Sequence, residues 1–373
     1  MANVGEISFI GTGDCGPTNG AADGFSIESY TELVRPTLAS VDLRFGNCER
    51  QYSTRMSGEG LSIHGCQPPA MAKIFTDCGY DAMTIANNHM YDYGPNPLID
   101  TRALLLEKGI IPTGAGKDLD EARLPAIVER KGVKVGFLGY CSVLPEGGIA
   151  GPGKIGIAPL RVKTCYEPRG PHAPTRVRTE PDERDIRMIV EDVTALRGKV
   201  DVVIVAFHWG VDWVPRVIAD YQVAAAHACI DAGADMILGH HPHVPKAIEV
   251  YKGKAIFYCL GTLCMTNSRG RNAAWDEAPW KHGAMRNHSD LDPAYPLMPY
   301  GKDSKMALLA KATLTKNGVK RVSFLPMIID TRYRAQVQHQ GSQGFDDVVR
   351  YMEWNSDGFD HKFSVDGDEV IIS

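Results

Sequence analysis

No stretch of this chain holds 18 consecutive apolar residues, which argues against a membrane-spanning helix and a membrane partner. The N-terminus, Met1-Ala2-Asn3-Val4-Gly5-Glu6, has neither a basic segment nor a long apolar one, so no signal peptide is expected. The nine cysteines are odd in number and no two stand at C-x-x-C spacing. That argues against both a disulfide framework and a zinc knuckle. Several lie inside apolar runs, where a reduced cysteine behaves as a small hydrophobe, and a reducing cytoplasm is the simplest location. A basic stripe is missing too. Lysine and arginine are scattered and the net charge is −5, so no nucleic-acid partner is expected. Internal repeats and low-complexity tracts are absent.

What the 373 residues do contain is an ordinary globular mixture, 44% hydrophobic and 23% charged. Short apolar runs recur: Ile7–Ile10, Val41–Phe45, Ala82–Ala86, Val133–Leu138, Val202–Phe207 and Met236–Leu238. Near-continuous runs of this length are the pattern of strands buried on both faces. Helical spacing alternates with them over Pro69–Asp77, Pro97–Lys108, Asp182–Leu196 and Ile218–Asp231. The alternation predicts an α/β fold with helices covering a sheet. Thr262–Asp303 is rich in Asn, Pro, Gly and His, has little periodicity, and reads as a long loop or lid. Met306–Leu314 and Val319–Leu325, joined at Asn317-Gly318, read as a hairpin, and Phe345–Trp354 as a late helix.

Gly239-His240-His241-Pro242-His243 places three histidines within four residues, directly behind the last apolar run. Several imidazoles at one strand end fill a core poorly and hold a divalent cation well. The other runs end in the same kind of chemistry. Asp14 follows the first, Asn47 and Glu49 the second, Asn88, His89 and Asp92 the third, and His208 the fifth. Ligands of an α/β sheet bind beyond the carboxyl ends of its strands. Taken singly, Asp14 reads as a turn residue, Asp92 as a helix N-cap and His208 as a core histidine. The joint pattern favours one shared site. Mixed Asp/Glu/Asn/His ligation suits Mn, Fe or Zn, and an oxygen-rich subset suits Ca or Mg. His227, on an Ala-rich helix, reads as structural.

With these motifs in view, the chain resembles the CapA family. The resemblance is carried by Ile7-Ser8-Phe9-Ile10-Gly11-Thr12-Gly13-Asp14, Gly46-Asn47-Cys48-Glu49, Asn87-Asn88-His89-Met90-Tyr91-Asp92-Tyr93-Gly94, Phe207-His208-Trp209-Gly210, Gly239-His240-His241-Pro242-His243-Val244 and Tyr258-Cys259-Leu260-Gly261. That family is associated with poly-γ-glutamate capsule synthesis and belongs to the calcineurin-like metallophosphoesterase superfamily. The resemblance implies a sandwich of two β-sheets flanked by helices, formed by residues 1–373 as one domain, with metal at the strand ends. It implies Asp14 as the first metal aspartate, Glu49 with Asn47 at the bridging position, Asn88 as a ligand and His89 as a catalytic imidazole. His208, His241 and His243 become further ligands, with His240 beside them as a substitute. The superfamily usually has Asp-x-His at the first motif. Here Asp14-Cys15-Gly16 lacks that histidine, so one well-held ion and a weaker or absent second are expected.

Three functions are compatible with this pattern. In the first, a metal-activated water attacks an amide, peptide or phosphoester, with His89, oriented by Asp92, as general acid. In the second, a peptide epimerase, Asp14 is a base and His288 of the predicted lid its partner. In the third, the chain is a non-catalytic accessory protein of capsule synthesis. The expected substrate is a peptide or a small anionic molecule. Arg50 and Arg55 are candidates to anchor its charge. Trp209 and Trp213, with Trp275 and Trp280 of the lid, are candidates for a groove, against the plainer reading of core packing.

Overall fold

The computed structural model describes residues 5–18, 24–55, 66–145, 147–266, 292–298 and 300–373. The strands that bear on the site are β1 (Glu6–Cys15), β2 (Leu43–Cys48), β3 (Ala82–Thr84), β4 (Val133–Cys141), β5 (Val202–His208), β6 (Met236–His240) and β7 (Thr262–Cys264). In one sheet β1 lies parallel to β2 and β7, and β2 parallel to β3. The long hairpin Met306–Thr315/Gly318–Ile329 extends that sheet antiparallel to β1. In the second sheet β4, β5 and β6 are parallel, continued by Lys254–Phe257 and closed at its edges by Ile248–Tyr251 and Ala126–Arg130. The expected sandwich of two sheets is therefore present.

The apolar runs of the sequence are continuous because each central strand is covered on both faces. Val202, Ile204 and Ala206 of β5 point into the layer between the sheets, where they join Ile7, Phe9, Leu43 and Phe45. Val203, Val205 and Phe207 point outward against the helices Glu183–Arg197 and Asp220–Asp231. The period of two along a strand produces this division. Phe45 and Phe137 stack across the sheet interface with ring centroids 4.4 Å apart. On the far side of the first sheet, Pro95–Glu107 and Lys73–Asp77 bury Leu98, Leu105, Ile74 and Phe75. The helix Gln343–Ser356 closes one flank of the sandwich, lending Phe345, Val348, Tyr351 and Met352 to the inter-sheet core.

Part of the segment read as a loop is a strand: Thr262–Cys264 adds to β1, with Asp14 opposite Thr262. Leu297, Met298 and Tyr300, later in that segment, are buried. Residues 267–291, which include Trp275, Trp280 and His288, lie outside the described residues. Among the described residues no helix is long and apolar enough to cross a membrane.

The cysteines give the fold a pH dependence. Burial pushes the thiols of Cys48, Cys78, Cys141, Cys229 and Cys259 up, that of Cys78 to about 12. An unfolded thiol ionises near ~8.5, so above that pH the unfolded state loses protons that the folded state keeps. Each such group costs about 1.4 kcal/mol of stability per pH unit. Buried Lys246, pulled down to about 8, acts oppositely between there and its unfolded value, but is a single group. Together these groups lower stability by roughly 6 kcal/mol per pH unit, enough to consume a typical folding free energy within two or three units. Urea unfolding midpoints should therefore drop steeply from pH 8.5 to 10. A flat profile would contradict the burial of these thiols.

Candidate metal centre

The parallel strands of both sheets end on the same side, and their registers set the ligands beside one another. Asp14 is level with Asn47 across β1 and β2, and His208 with His240 across β5 and β6. Two glycines permit the close approach of backbones. A Cβ on Gly13 would lie 2.1 Å from the Gly261 carbonyl, and one on Gly239 would lie 2.1 Å from that of Tyr258. Beyond β6 the chain turns through left-handed backbone at His241 (φ 100°) and His243 (φ 56°), conformations uncommon for such residues. That path, with Pro242 between, brings both imidazoles to the site.

Two overlapping sets result: Asp14, Glu49 and His243, and Glu49, His208 and His241. Within each set the ligand atoms lie within 4.8 Å of one another, and every member is buried. Glu49 belongs to both. Its Oε1 lies 3.5 Å from His243 Nε2 and 3.6 Å from His208 Nε2, while His243 Nδ1 is 3.3 Å from Asp14 Oδ2. The sequence leads to an expectation of one well-held ion and a weaker or absent second; the described residues offer two candidate sets of three, with Gly16 standing where the histidine of Asp-x-His is customary.

The electrostatics suit cations. Burial, followed by the charge of Asp14, pushes the Glu49 carboxyl well above its ordinary range. Neither Glu49 oxygen has a hydrogen-bond partner. A buried carboxylate with no partner is expensive, and a cation removes the expense. Burial alone would also raise Asp14. The hydrogen bond with His243 and the neighbouring imidazoles hold it well below instead. Burial disfavours the charged forms of His208, His240 and His243 and so favours the neutral imidazole, the form that binds metal. The Nδ1 atom of His241 is likewise buried without a partner. Orphaned oxygens and nitrogens in a mixed carboxylate–imidazole set fit a divalent ion.

Around the sets stand supporting groups. Asn47 donates to Asp14 Oδ1 (2.9 Å) and accepts from Asn87 (3.0 Å), so it orients Asp14. Asn88 Oδ1 lies 2.8 Å from His208 Nε2, at the edge of the second set. His89 Nδ1 lies 2.8 Å from Asp92 Oδ2, the pair that three-residue spacing suggests. Its Nε2 faces the Asn88 amide at 3.4 Å.

The other sequence candidates sit elsewhere. His240 Nε2 bonds the Thr12 carbonyl at 3.1 Å and joins neither set. Arg50 is buried, with its guanidinium on the carbonyls of Gly16 and Thr266. Arg55 forks onto Asp100 at the surface. Trp209 is fully buried, stacked on Phe207 at 4.4 Å with its indole donating to the Tyr258 carbonyl. His227 pairs with Glu249 away from the site.

Three neighbours escaped sequence reasoning. Gln51 ties the Asn88–Tyr91 turn by donating to the Met90 and Gly94 carbonyls and accepting from Tyr93 N. Tyr300 stacks on His243 with centroids 4.4 Å apart. Asp212 Oδ1 pairs with His241 Nε2. Only Asp212 carried a signal, as a carboxylate four residues beyond His208.

A family model described as bacterial capsule synthesis protein PGA_cap matches residues 8–267. The PGA biosynthesis protein CapA of Bacillus subtilis is 26% identical over 323 residues, 84% of this chain and 77% of that one. A probable polyglutamine synthesis accessory protein of Mycobacterium tuberculosis is 36% identical over 184 residues, 48% of this chain and 43% of that one. Among solved structures, a calcineurin-like phosphoesterase of Bacillus subtilis aligns over 94% of this chain and 98% of its own, with TM-score 0.38 and 14% identity.

Proposed function

From the premise that this chain belongs to the PGA_cap family of bacterial capsule synthesis proteins, we propose that it is a hydrolase working with two divalent ions that share Glu49. The observation that carries this reading is Glu49 itself, buried, without a hydrogen-bond partner on either oxygen, and common to both ligand sets. Asp14 and His243 would hold one ion with it, and His208, His241 and the Asn88 carboxamide the other. The first set is richer in oxygen and suits Mn or Fe, and the second is richer in nitrogen and suits Zn.

A divalent ion there supplies a Lewis acid and acidifies water toward ~7. The protein's own part is positioning and proton transfer. Asp14 is held in place by Asn47 and by the backbone N–H of His241, which donates to its Oδ2 at 3.1 Å. That commitment to the ligand set favours hydrolysis over proton abstraction from a Cα atom by Asp14. Asp92 accepts from His89 Nδ1 and stabilises the imidazolium, so the Nε2 proton is the one available to a leaving group.

The substrate is a phosphoester or an amide. Relatives named for PGA and polyglutamine synthesis point the screen toward γ-glutamyl amides. Purified chain, stripped with EDTA and reloaded with Mn or Zn, should turn over at least one of a phosphoester, a peptide amide and a γ-glutamyl amide. EDTA should abolish the activity and metal restore it. Failure on all three classes, with metal bound, would count against hydrolysis.

A further inference from the structure

Asp212 lies on the strap that follows β5, outside both ligand sets. Its side chain is 39% exposed, whereas that of His241 is 8% exposed. The contact between Asp212 Oδ1 and His241 Nε2 settles the imidazole's two ends. Asp212 is an ionised acceptor, so the proton sits on Nε2 and the lone pair on Nδ1. That Nδ1 is the atom buried without a partner. A histidine that binds metal through one nitrogen commonly donates from the other to a carboxylate, which fixes ring and tautomer and raises basicity.

The strap is built to hold Asp212 still. Before it, Trp209 N donates to the His240 carbonyl at 3.1 Å and Gly210 N to the Tyr221 hydroxyl at 2.7 Å. After it, Trp213 N donates to the Pro242 carbonyl at 3.0 Å, inside the histidine motif itself. Trp213 reaches that position through left-handed backbone, φ 56°, which is strained for a bulky residue. Lys246, 1% exposed, places its ammonium on the carbonyls of Val214 and Val217. A surface ion pair of no consequence would not need a buried lysine and a strained tryptophan to support it.

We propose that Asp212 is a positioning residue of the Glu49–His208–His241 set, holding His241 with its proton on Nε2 so that Nδ1 is the ligand. The inference rests on the metal reading given above. Asparagine at this position keeps the shape but loses the charge, and its amide can turn to donate to Nε2 and leave the proton on Nδ1.

The test is calorimetric titration of metal-free protein with zinc chloride alone, on wild type, Asp212→Asn and Asp212→Glu, with thermal unfolding of each metal-free form. In Asp212→Asn one of two binding events should weaken about 10- to 100-fold while the other stays within about threefold. The metal-free melting midpoint should hold, Asp212→Glu should recover part of the affinity, and the Co²⁺ absorption of the affected site should change. Unchanged zinc binding in Asp212→Asn would overturn the inference alone. So would equal weakening of both events together with a lower metal-free midpoint, the result of a merely structural role. Wild type that binds no zinc would instead overturn the metal reading beneath it.

Discussion

Glu49→Gln should leave the chain unable to retain either ion and lower metal-dependent turnover by at least about 10³-fold. The estimate follows from losing several kcal/mol of charge stabilisation at 1.36 kcal/mol per decade. Glu49 is the one residue common to both sets, so a single substitution acts on two ions at once. The same change should raise the melting midpoint of the metal-free protein. Burial and the Asp14 charge lift the Glu49 carboxyl well above its ordinary value. The folded metal-free state must therefore take up a proton that the unfolded chain releases, and stability is lost as pH rises from the unfolded pKa toward the folded one. Glutamine has no such requirement. Near neutral pH the variant should melt higher without metal, and excess metal should stabilise wild type far more than the variant. A variant that melts lower in both states would indicate a packing role for Glu49.

His89→Asn should lower turnover about 10²- to 10⁴-fold, the usual worth of a positioned general acid, and leave metal content unchanged. His89 is in neither ligand set, and its Nδ1 is committed to Asp92. Its effect should depend on the leaving group. A nitrophenyl ester needs little protonation and should suffer least; an alkyl ester or amide should suffer most. Asp92→Asn should follow the same order with smaller losses, since it removes the support of the imidazolium and not the imidazolium itself. Equal losses across leaving groups, or loss of metal from His89→Asn, would remove the histidine from the proton-transfer role.

Much of the scaffold is legible in the chain because its central strands are buried on both faces. Val202 to Phe207 reads as a strand since alternate side chains face the opposite sheet and the outer helices. Asp14, Glu49, His208, His241 and His243 are legible for a related reason: each is polar at the point where an apolar run stops, and parallel strands bring such points together. His89 and Asp92 are neighbours by three-residue spacing on one short turn. The strand Thr262–Cys264 is hidden, being three residues long at the head of a segment with no periodicity. Arg50 and Trp209 show the limit in the other direction. Each stands next to a site residue in sequence, but a side chain's residue type does not reveal which way it turns. Arg50 turns into the protein to hold two carbonyls, and Trp209 turns into the core. Gln51 and Tyr300 act through tertiary contacts that no local spacing encodes, and the contact of Asp212 with His241 is marked in the sequence only by a carboxylate four residues beyond His208. The missing histidine after Asp14 points to one ion, whereas the described residues offer two candidate sets, because Glu49 belongs to both and His243 lies near Asp14 and Glu49 together.

Anomalous diffraction from crystals soaked in manganese tests the central claim most directly. The account predicts two peaks, both in contact with the Glu49 carboxylate, one also touching Asp14 and His243 and the other His208 and His241. Two peaks away from Glu49, or none among these residues, would contradict it.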